Sequence, residues 1–112
     1  MRWLAPLIAA LVLAAYIEAR AHASRSTSQL WNAFLCIHDY EGSWGADTGN
    51  GYYGGLQMDY GFMATYGAEY LQAWGPADNW PPAIQMAVAI RAYLSGRGFQ
   101  PWPNSARLCG LI

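Results

Sequence analysis

Residues 48–58, TGNGYYGGLQM, say most about the fold of this chain. Their four glycines allow backbone conformations that other residues avoid and let the main chain approach a ligand closely. Asn50 followed by Gly51 favours a tight turn between two short strands. Tyr52 and Tyr53 are adjacent on the returning strand, so they point to opposite faces and at most one of them packs inward. We therefore expect a short β-hairpin that offers a tyrosine ring outward.

An amphipathic helix leads into this hairpin. Residues 26–42, STSQLWNAFLCIHDYEG, begin with hydroxyl groups suited to a helix cap, carry apolar residues at helical spacing and end at a glycine. Glu41 falls in the last turn, where the helix dipole disfavours a negative charge. We expect the nearby Tyr40 and Trp44 rings to desolvate its carboxyl and raise its pKa, which favours the protonated acid.

Further helices follow the hairpin. Asp59 can cap a short helix, and residues 68–74 have the pattern of another turn or two. The clearest helix is predicted within residues 78–98, DNWPPAIQMAVAIRAYLSGRG, with prolines confined to its first turn and Asp78 or Asn79 as its cap. The chain contains no repeat or low-complexity run. We expect one α+β domain that is mainly helical.

Residues 1–23 have the order of a secretory signal peptide. A positive charge at Arg2 is followed by an apolar run, and the small-x-small sequence AHA provides a cleavage site after Ala23. The apolar run is shorter than the about 20 residues of a comfortable membrane span, and an uncleaved anchor is the alternative. We expect a secreted or cell-wall location and one domain at residues 24–112.

Cys36 and Cys109 are the two cysteines of the chain. An even pair in an exported chain is typical of a disulfide, and a domain of this size is only marginally stable on its core alone. We expect one disulfide that joins the first helix to the C-terminus. Two buried free thiols are the alternative.

The charges and metal-ligand types in residues 24–112 argue against several classes of function. Four arginines, no lysine and six carboxylates give a net charge of about −2, without the clustered positive charge that binds nucleic acid. His38 is the one histidine in this range, and paired cysteines would leave no ligand set for zinc. We expect a monomer with no metal, no cofactor, no nucleic-acid partner and no membrane contact beyond the signal segment.

Several polar and aromatic residues suit a carbohydrate site. A glycosidase needs a carboxylic acid that stays protonated near neutral pH and a groove of rings and amides that holds sugars. Glu41 is the acid candidate. The candidate groove residues are Trp44, Tyr52, Tyr53, Gln57 and Gln85. A sugar-binding module without turnover would use the same groove, and aromatic residues of a small protein also serve as core.

A resemblance to a known family joins these features. TGNGYYGGLQM, followed by Asp59 and Gly61 and then by AIQMAVA and WP before a cysteine, closely resembles the resuscitation-promoting factors and related actinobacterial lytic transglycosylase domains. The resemblance covers most of residues 36–109 and implies a compact lysozyme-like fold. It also implies cleavage of peptidoglycan glycan strands between N-acetylmuramic acid and N-acetylglucosamine, with one glutamate acting as acid and then as base.

The resemblance also assigns individual residues. It places the catalytic acid at Glu41, the hairpin turn at residues 48–51, the disulfide at Cys36 and Cys109, and the substrate-facing positions at Gln57 and Gln85. Asn50, within that turn, is a further candidate for substrate binding. In the resuscitation-promoting factors the glutamate directly follows the cysteine and precedes a tryptophan by five residues. Here the fifth residue before Trp44 is Asp39, and Glu41 lies three residues before it. We choose Glu41 because YEGSW resembles the ES or EG sequence of other transglycosylases. Two further departures are Met63, where the family has a tryptophan, and four extra residues between WP and the final cysteine.

A second carboxylate would distinguish two reactions. Hydrolases of this kind pair the acid with another carboxylate, about 5–5.5 Å away when retaining and about 6.5–9.5 Å away when inverting. Asp47 and Asp59 are the candidates, but turn formation and helix capping explain them without catalysis. We therefore expect a lytic transglycosylase, in which the muramic 6-hydroxyl attacks, with muramidase hydrolysis as the alternative.

Overall fold

The computed structural model of the chain describes residues 8–14 and 25–112. Residues 8–14 are helical and exposed. The rest of the predicted signal segment, including its cleavage site after Ala23, lies outside the described residues. Within the described ranges, no helix has the length and apolar character needed to cross a bilayer.

The domain at residues 25–112 is mainly helical. Its five α-helices are α1 (Thr27–Glu41), α2 (Tyr60–Tyr66), α3 (Ala68–Trp74), α4 (Pro82–Ala92) and α5 (Pro103–Leu108). A 3₁₀ turn at Ala77–Asn79 precedes α4, and a wide π-type turn at Tyr93–Arg97 extends it.

Helix α1 forms where the sequence predicts it. The Ser26 side chain accepts a hydrogen bond from the Gln29 backbone N–H, and the Gln29 side chain accepts one from the Ser26 N–H. This reciprocal capping box satisfies two donors that a helix start otherwise leaves unpaired. The helix ends at Gly42. Its buried face consists of Leu30, Ala33, Phe34 and Ile37.

The predicted helices α2 and α3 are confirmed. Asp59 caps α2, because its Oδ1 accepts a hydrogen bond from the Phe62 N–H at 2.8 Å. Gly67 separates α2 from α3 and packs closely against Trp80, with only 2.8 Å between the indole ring and the position of an added Cβ. A glycine is therefore needed here for packing as well as for ending a helix.

The predicted β-hairpin is not confirmed. The chain turns back between residues 47 and 58 with two isolated antiparallel bridges, Asp47 with Tyr53 and Tyr53 with Met58. Three glycines of this stretch have φ between 77° and 86°, and such left-handed residues interrupt the extended backbone that a strand ladder requires. Pairing therefore stops at single residues. We call residues 48–58 the glycine loop.

Helix α4 begins later than predicted. Asp78 and Asn79 lie in the 3₁₀ turn and do not cap α4. Pro81 occupies the cap position and Pro82 the first helical position, where a missing N–H leaves no helical hydrogen bond unmade. At the other end, Gly96 lies inside the wide turn with φ of 109°.

The core lies between α1, α4 and the C-terminal segment. The Phe34 ring of α1 packs against Trp102 and Phe99, with ring centroids 5.0 Å and 5.4 Å apart. The Trp102 indole N–H donates a hydrogen bond to the Leu56 carbonyl at 2.7 Å. One tryptophan thus attaches the glycine loop to the core.

The predicted disulfide is confirmed. Cys36 of α1 is bonded to Cys109, which follows α5 and lies 73 residues further along the chain. The bond holds α5 beside the helix that ends at Glu41.

Candidate active site

Two adjoining cavities form a groove that has Glu41 at one end. The smaller cavity, of about 280 Å³, is lined by Glu41, Tyr52, Gln57 and Pro101. The larger, of about 470 Å³, shares Tyr52, Gln57 and Pro101 with it and runs along α2 as far as Arg97. Ligand pockets commonly have volumes of this order. We call the two cavities together the groove.

Glu41 is half-buried as the last residue of α1. Burial removes water from its carboxyl and raises the pKa above the ordinary value of 4.5. The Ser105 hydroxyl of α5 opposes this rise in pKa by favouring the ionised form. No neighbouring charge is among the causes of the shift in the part of the chain that the structure describes. Desolvation alone thus favours the protonated acid.

Gln57 is held on the wall that the two cavities share. Its backbone is left-handed with φ of 48°, a conformation that costs a residue other than glycine about 1 kcal/mol or more. Its side-chain amide donates to the Gly54 carbonyl at 3.0 Å and accepts from the Asn50 amide at 3.3 Å. Asn50 in turn accepts a hydrogen bond from the Tyr52 N–H at 3.0 Å. These bonds within the glycine loop fix the position of the Gln57 side chain.

The two adjacent tyrosines point in opposite directions, as the sequence predicts. Tyr52 is 47% exposed and lines both cavities. Tyr53 is half-buried, packs on the core and meets the Tyr60 ring edge to face, with 5.4 Å between centroids. The groove therefore receives one ring of the pair, and the prediction that Tyr53 contacts substrate is not supported by its position.

Gln85 requires a correction, because its side chain does not face the groove. It is fully buried in α4. Its Oε1 accepts a hydrogen bond from the Gly55 N–H at 2.8 Å, and its Nε2 donates to the carbonyls of Trp44 and Trp80 at 2.9 Å and 3.0 Å. With both ends of the amide satisfied by protein backbone, Gln85 joins the glycine loop to α4 and offers no group to a ligand.

Trp44 also differs from its prediction. Its ring is half-buried and stacks on the imidazole of His38, with 3.7 Å between centroids and 18° between planes. It lines neither cavity of the groove. The His38 Nδ1 lies 2.9 Å from the Gly55 carbonyl oxygen, so Nδ1 carries the proton and donates it. An added Cβ on Gly55 would overlap both rings. Trp44 and His38 therefore pack against the glycine loop and do not line the groove.

In the described residues, no three His, Cys, Asp or Glu side chains come together as a metal site would require. The groups that line the groove are two carboxyls, Glu41 and Asp59, with a guanidinium, an amide, hydroxyls and aromatic rings.

The chain has clear relatives among characterised proteins, although no protein-family model matches it. Resuscitation-promoting factor RpfC of Mycobacterium tuberculosis is 33% identical over 105 residues, which cover 94% of this chain and 70% of that relative. This chain belongs to the resuscitation-promoting factor family. Resuscitation-promoting factor Rpf1 of Corynebacterium glutamicum is 39% identical over 70 residues, or 62% of this chain. The matched part is 35% of Rpf1, so this family member spans only about a third of that relative.

The helix geometry of this resuscitation-promoting factor family member distinguishes Asp39 from Glu41. Ile37, which directly follows Cys36, is fully buried in the core. Glu41 lies four residues after Ile37 and so shares the inward face of α1, whereas Asp39 lies between them and is exposed. Asp39 lines neither cavity of the groove. The placement favours Glu41 as the acid candidate.

The structure adds three residues to the candidate site that the sequence interpretation missed. Ser105 contacts the Glu41 carboxyl, Pro101 lines both cavities, and Arg97 lines the larger one. The position of Ser105 could have been predicted from the sequence. It lies four residues before Cys109 and therefore on the face of α5 that the disulfide turns toward α1. Pro101 and Arg97 belong to irregular segments whose direction no local pattern predicts.

Proposed function

We propose that this family member is an exported enzyme that cleaves the glycan strands of peptidoglycan as a lytic transglycosylase. The observation that carries the proposal is Glu41, a carboxyl with a raised pKa at the end of a groove. A general acid needs a pKa near the working pH, and desolvation of a glutamate is one way to obtain it.

In the proposed reaction, Glu41 first donates its proton to the oxygen of the β-1,4 bond between N-acetylmuramic acid and N-acetylglucosamine. The bond from that oxygen to the anomeric carbon breaks, and the N-acetylglucosamine unit leaves with a new hydroxyl. The Glu41 carboxylate then accepts the proton of the muramic 6-hydroxyl, whose oxygen attacks the anomeric carbon. The product is a 1,6-anhydro sugar, and Glu41 is protonated again.

The surroundings of Glu41 favour intramolecular attack over attack by water. A second carboxylate at the distance of a retaining pair would raise the pKa of Glu41 by repulsion, and no such contribution is present in the described residues. Asp59 lines the larger cavity, but its carboxylate caps α2. Asp47 is exposed and lines neither cavity. Neither residue has a position that requires a catalytic explanation.

The groove wall suits the binding of a sugar chain. Tyr52 offers an exposed ring to the face of a sugar, and the Gln57 amide is held where the two cavities meet. Asn50 orients this wall through its bonds to Gln57 and Tyr52. We propose Tyr52, Gln57 and Asn50 as the substrate-binding side of the site.

Product analysis tests the proposal. Residues 24–112 of the wild type and of Glu41→Gln are incubated with peptidoglycan, and the released muropeptides are identified by mass. We expect 1,6-anhydro products from the wild type and none from Glu41→Gln, while binding to the wall persists. Asp39→Asn serves as the matched control, because Asp39 is an exposed carboxylate on the same helix, and should leave turnover unchanged.

Two other results would replace the proposal. Reducing-end products without anhydro sugar would identify a muramidase, and Asp59 would then be the first candidate for the second carboxylate. Wall binding without any product would identify a sugar-binding module. We further propose a monomeric protein of the cell wall or medium, cleaved after Ala23, and N-terminal sequencing of the protein from the culture medium tests the cleavage site.

A further inference from the structure

Arg97 gives the groove a positive charge at the end remote from Glu41. It lies in the wide turn after α4 and lines the larger cavity but not the cavity that contains Glu41. Of the residues that line the two cavities, Arg97 is the sole lysine or arginine. The groove therefore has a carboxylic acid in its smaller cavity and a guanidinium in its larger one.

Aromatic rings hold this guanidinium at the groove wall. Its central carbon lies 5.9 Å from the ring centroid of Phe62 and 6.0 Å from that of Tyr66, both of which also line the larger cavity. Distances of this order allow a cation–π attraction. Arg97 also hydrogen-bonds the Tyr66 side chain, and its exposed guanidinium has five N–H donors, so others are available to an incoming ligand.

Arg97 has no carboxylate partner within the described residues. The ion pair in that part of the chain joins Arg91 of α4 to Glu69 of α3. Asp59 lines the same cavity as Arg97 but is engaged as the cap of α2 and forms no ion pair with it. A planar guanidinium suits a carboxylate because two parallel N–H groups can donate to its two oxygens.

We infer that Arg97 binds a carboxylate carried on the lactyl arm of a muramic residue in the groove, an inference that rests on the proposed function. N-acetylglucosamine is neutral, whereas N-acetylmuramic acid carries a 3-O-lactyl group. In strands without peptide, the lactyl group ends in a carboxylate; in intact peptidoglycan, it continues into a stem peptide that bears carboxylates further out. Arg97 would thus select muramic-containing strands over neutral chitin-like ones.

Binding measurements in a Glu41→Gln background test this inference, because the ligands are then not consumed. The probes are a peptidoglycan tetrasaccharide with its stems, the same tetrasaccharide after amidase removal of the stems, and neutral chitotetraose. Each is titrated calorimetrically into the background protein and into versions with Arg97→Gln, Arg97→Lys or Arg107→Gln. Arg107 is the matched control, because it is exposed, contacts Asn104 in its own helix and lines neither cavity.

We expect Arg97→Gln to weaken binding of a carboxylate-bearing probe about fivefold, the upper range for an exposed ion pair, and to leave chitotetraose unchanged. Arg97→Lys should recover part of the loss, since it keeps the charge without the planar fork. The loss should shrink at high salt. A loss restricted to the stem-free probe would identify the lactyl carboxylate, because the stem-bearing probe carries that group as an amide. A loss restricted to the stem-bearing probe would identify a stem carboxylate, and a loss for both anionic probes would mean that Arg97 binds whichever carboxylate the lactyl arm presents.

Equal weakening of all three probes, or no weakening of any, would overturn the inference. Arg107→Gln should bind every probe as the background protein does. The proposed function is judged separately, by turnover of the protein that retains Glu41. If Arg97→Gln selectively weakens the anionic probes but the protein with Glu41 shows no turnover, the Arg97 site stands and the proposed enzyme activity is rejected. If the protein turns over peptidoglycan but Arg97→Gln changes binding unselectively or not at all, the enzyme activity stands and the Arg97 site is rejected.

Discussion

Replacement of Gln85 by leucine should lower stability strongly, because the buried amide joins three backbone groups. Leucine has a similar size but neither donates nor accepts. The variant leaves the Gly55 N–H and the carbonyls of Trp44 and Trp80 without their present partner. The bonds to Gly55 and Trp80 are buried, whereas the bond to Trp44 is only partly buried, so water can replace it.

The expected magnitude follows from the two buried groups. A buried donor or acceptor left unsatisfied costs about 1–3 kcal/mol, so Gln85→Leu should lower the free energy of unfolding by about 2–6 kcal/mol. For a domain of this size, each kcal/mol changes the melting temperature by about 4–8 °C, so we expect a fall of at least about 8 °C.

Thermal and urea unfolding of residues 24–112 measure this effect. Gln72→Leu is the matched control, since Gln72 is an exposed glutamine in α3, and its melting temperature should stay close to that of the wild type. Gln85→Glu is a second variant, and the pH dependence of its stability tests the same buried position. Burial should raise the pKa of the introduced carboxyl above its unfolded value. The stability of Gln85→Glu should therefore be greatest below the unfolded pKa and fall as pH rises through the folded pKa.

A Gln85→Leu protein that melts with the wild type but binds glycan more weakly would refute this reasoning. That result would mean that Gln85 faces ligand, as the sequence alone suggested. Gln85→Glu stability that is insensitive to pH would contradict the buried position in a second way.

The remaining predictions concern Glu41 and the disulfide. Turnover should decline as pH rises through the raised pKa of Glu41, because the general acid loses its proton; a decline centred at or below the ordinary value of 4.5 would contradict the desolvation argument. The raised pKa of Glu41 means that its ionised form is less favourable in the folded protein than in the unfolded chain. Glu41→Gln should therefore be at least as stable as the wild type at pH 7. Below pH 4.5 the wild-type carboxyl is protonated in both states, so any difference in stability in favour of the variant should disappear. Cys36→Ser, which opens a link across 73 residues, should lower the free energy of unfolding by about 4 kcal/mol, and reductant should reproduce this loss in the wild type but not in the variant.

Local signals were sufficient for the helices around the site. The hydroxyl cap at the start of α1, the Gly42 stop and the Asp59 cap are interactions between residues at most four positions apart, and the sequence predicted each of them. They place Glu41 at a helix end. The cysteine pair likewise predicted the disulfide, because an exported chain with two cysteines has one way to pair them.

Strand pairing was harder to predict than the turn itself. The glycines and Asn50 correctly indicated a reversal of the chain, but their left-handed backbone also prevents the ladder that a hairpin requires. The same residues that favour the turn thus limit the strand.

The sequence by itself determined the ends of α1 and α2, the disulfide and the family, because these depend on short-range patterns and on a specific eleven-residue stretch. Only the tertiary structure decided which polar residues face a ligand. Gln57 and Gln85 are the same residue type, yet one lies on the groove wall and the other bonds to Gly55, 30 residues away. Arg97 lines the groove because the irregular turn after α4 places it there. Side-chain direction depends on partners distant in sequence, and their packing determines whether an amide is buried between backbone groups or lies on the groove wall.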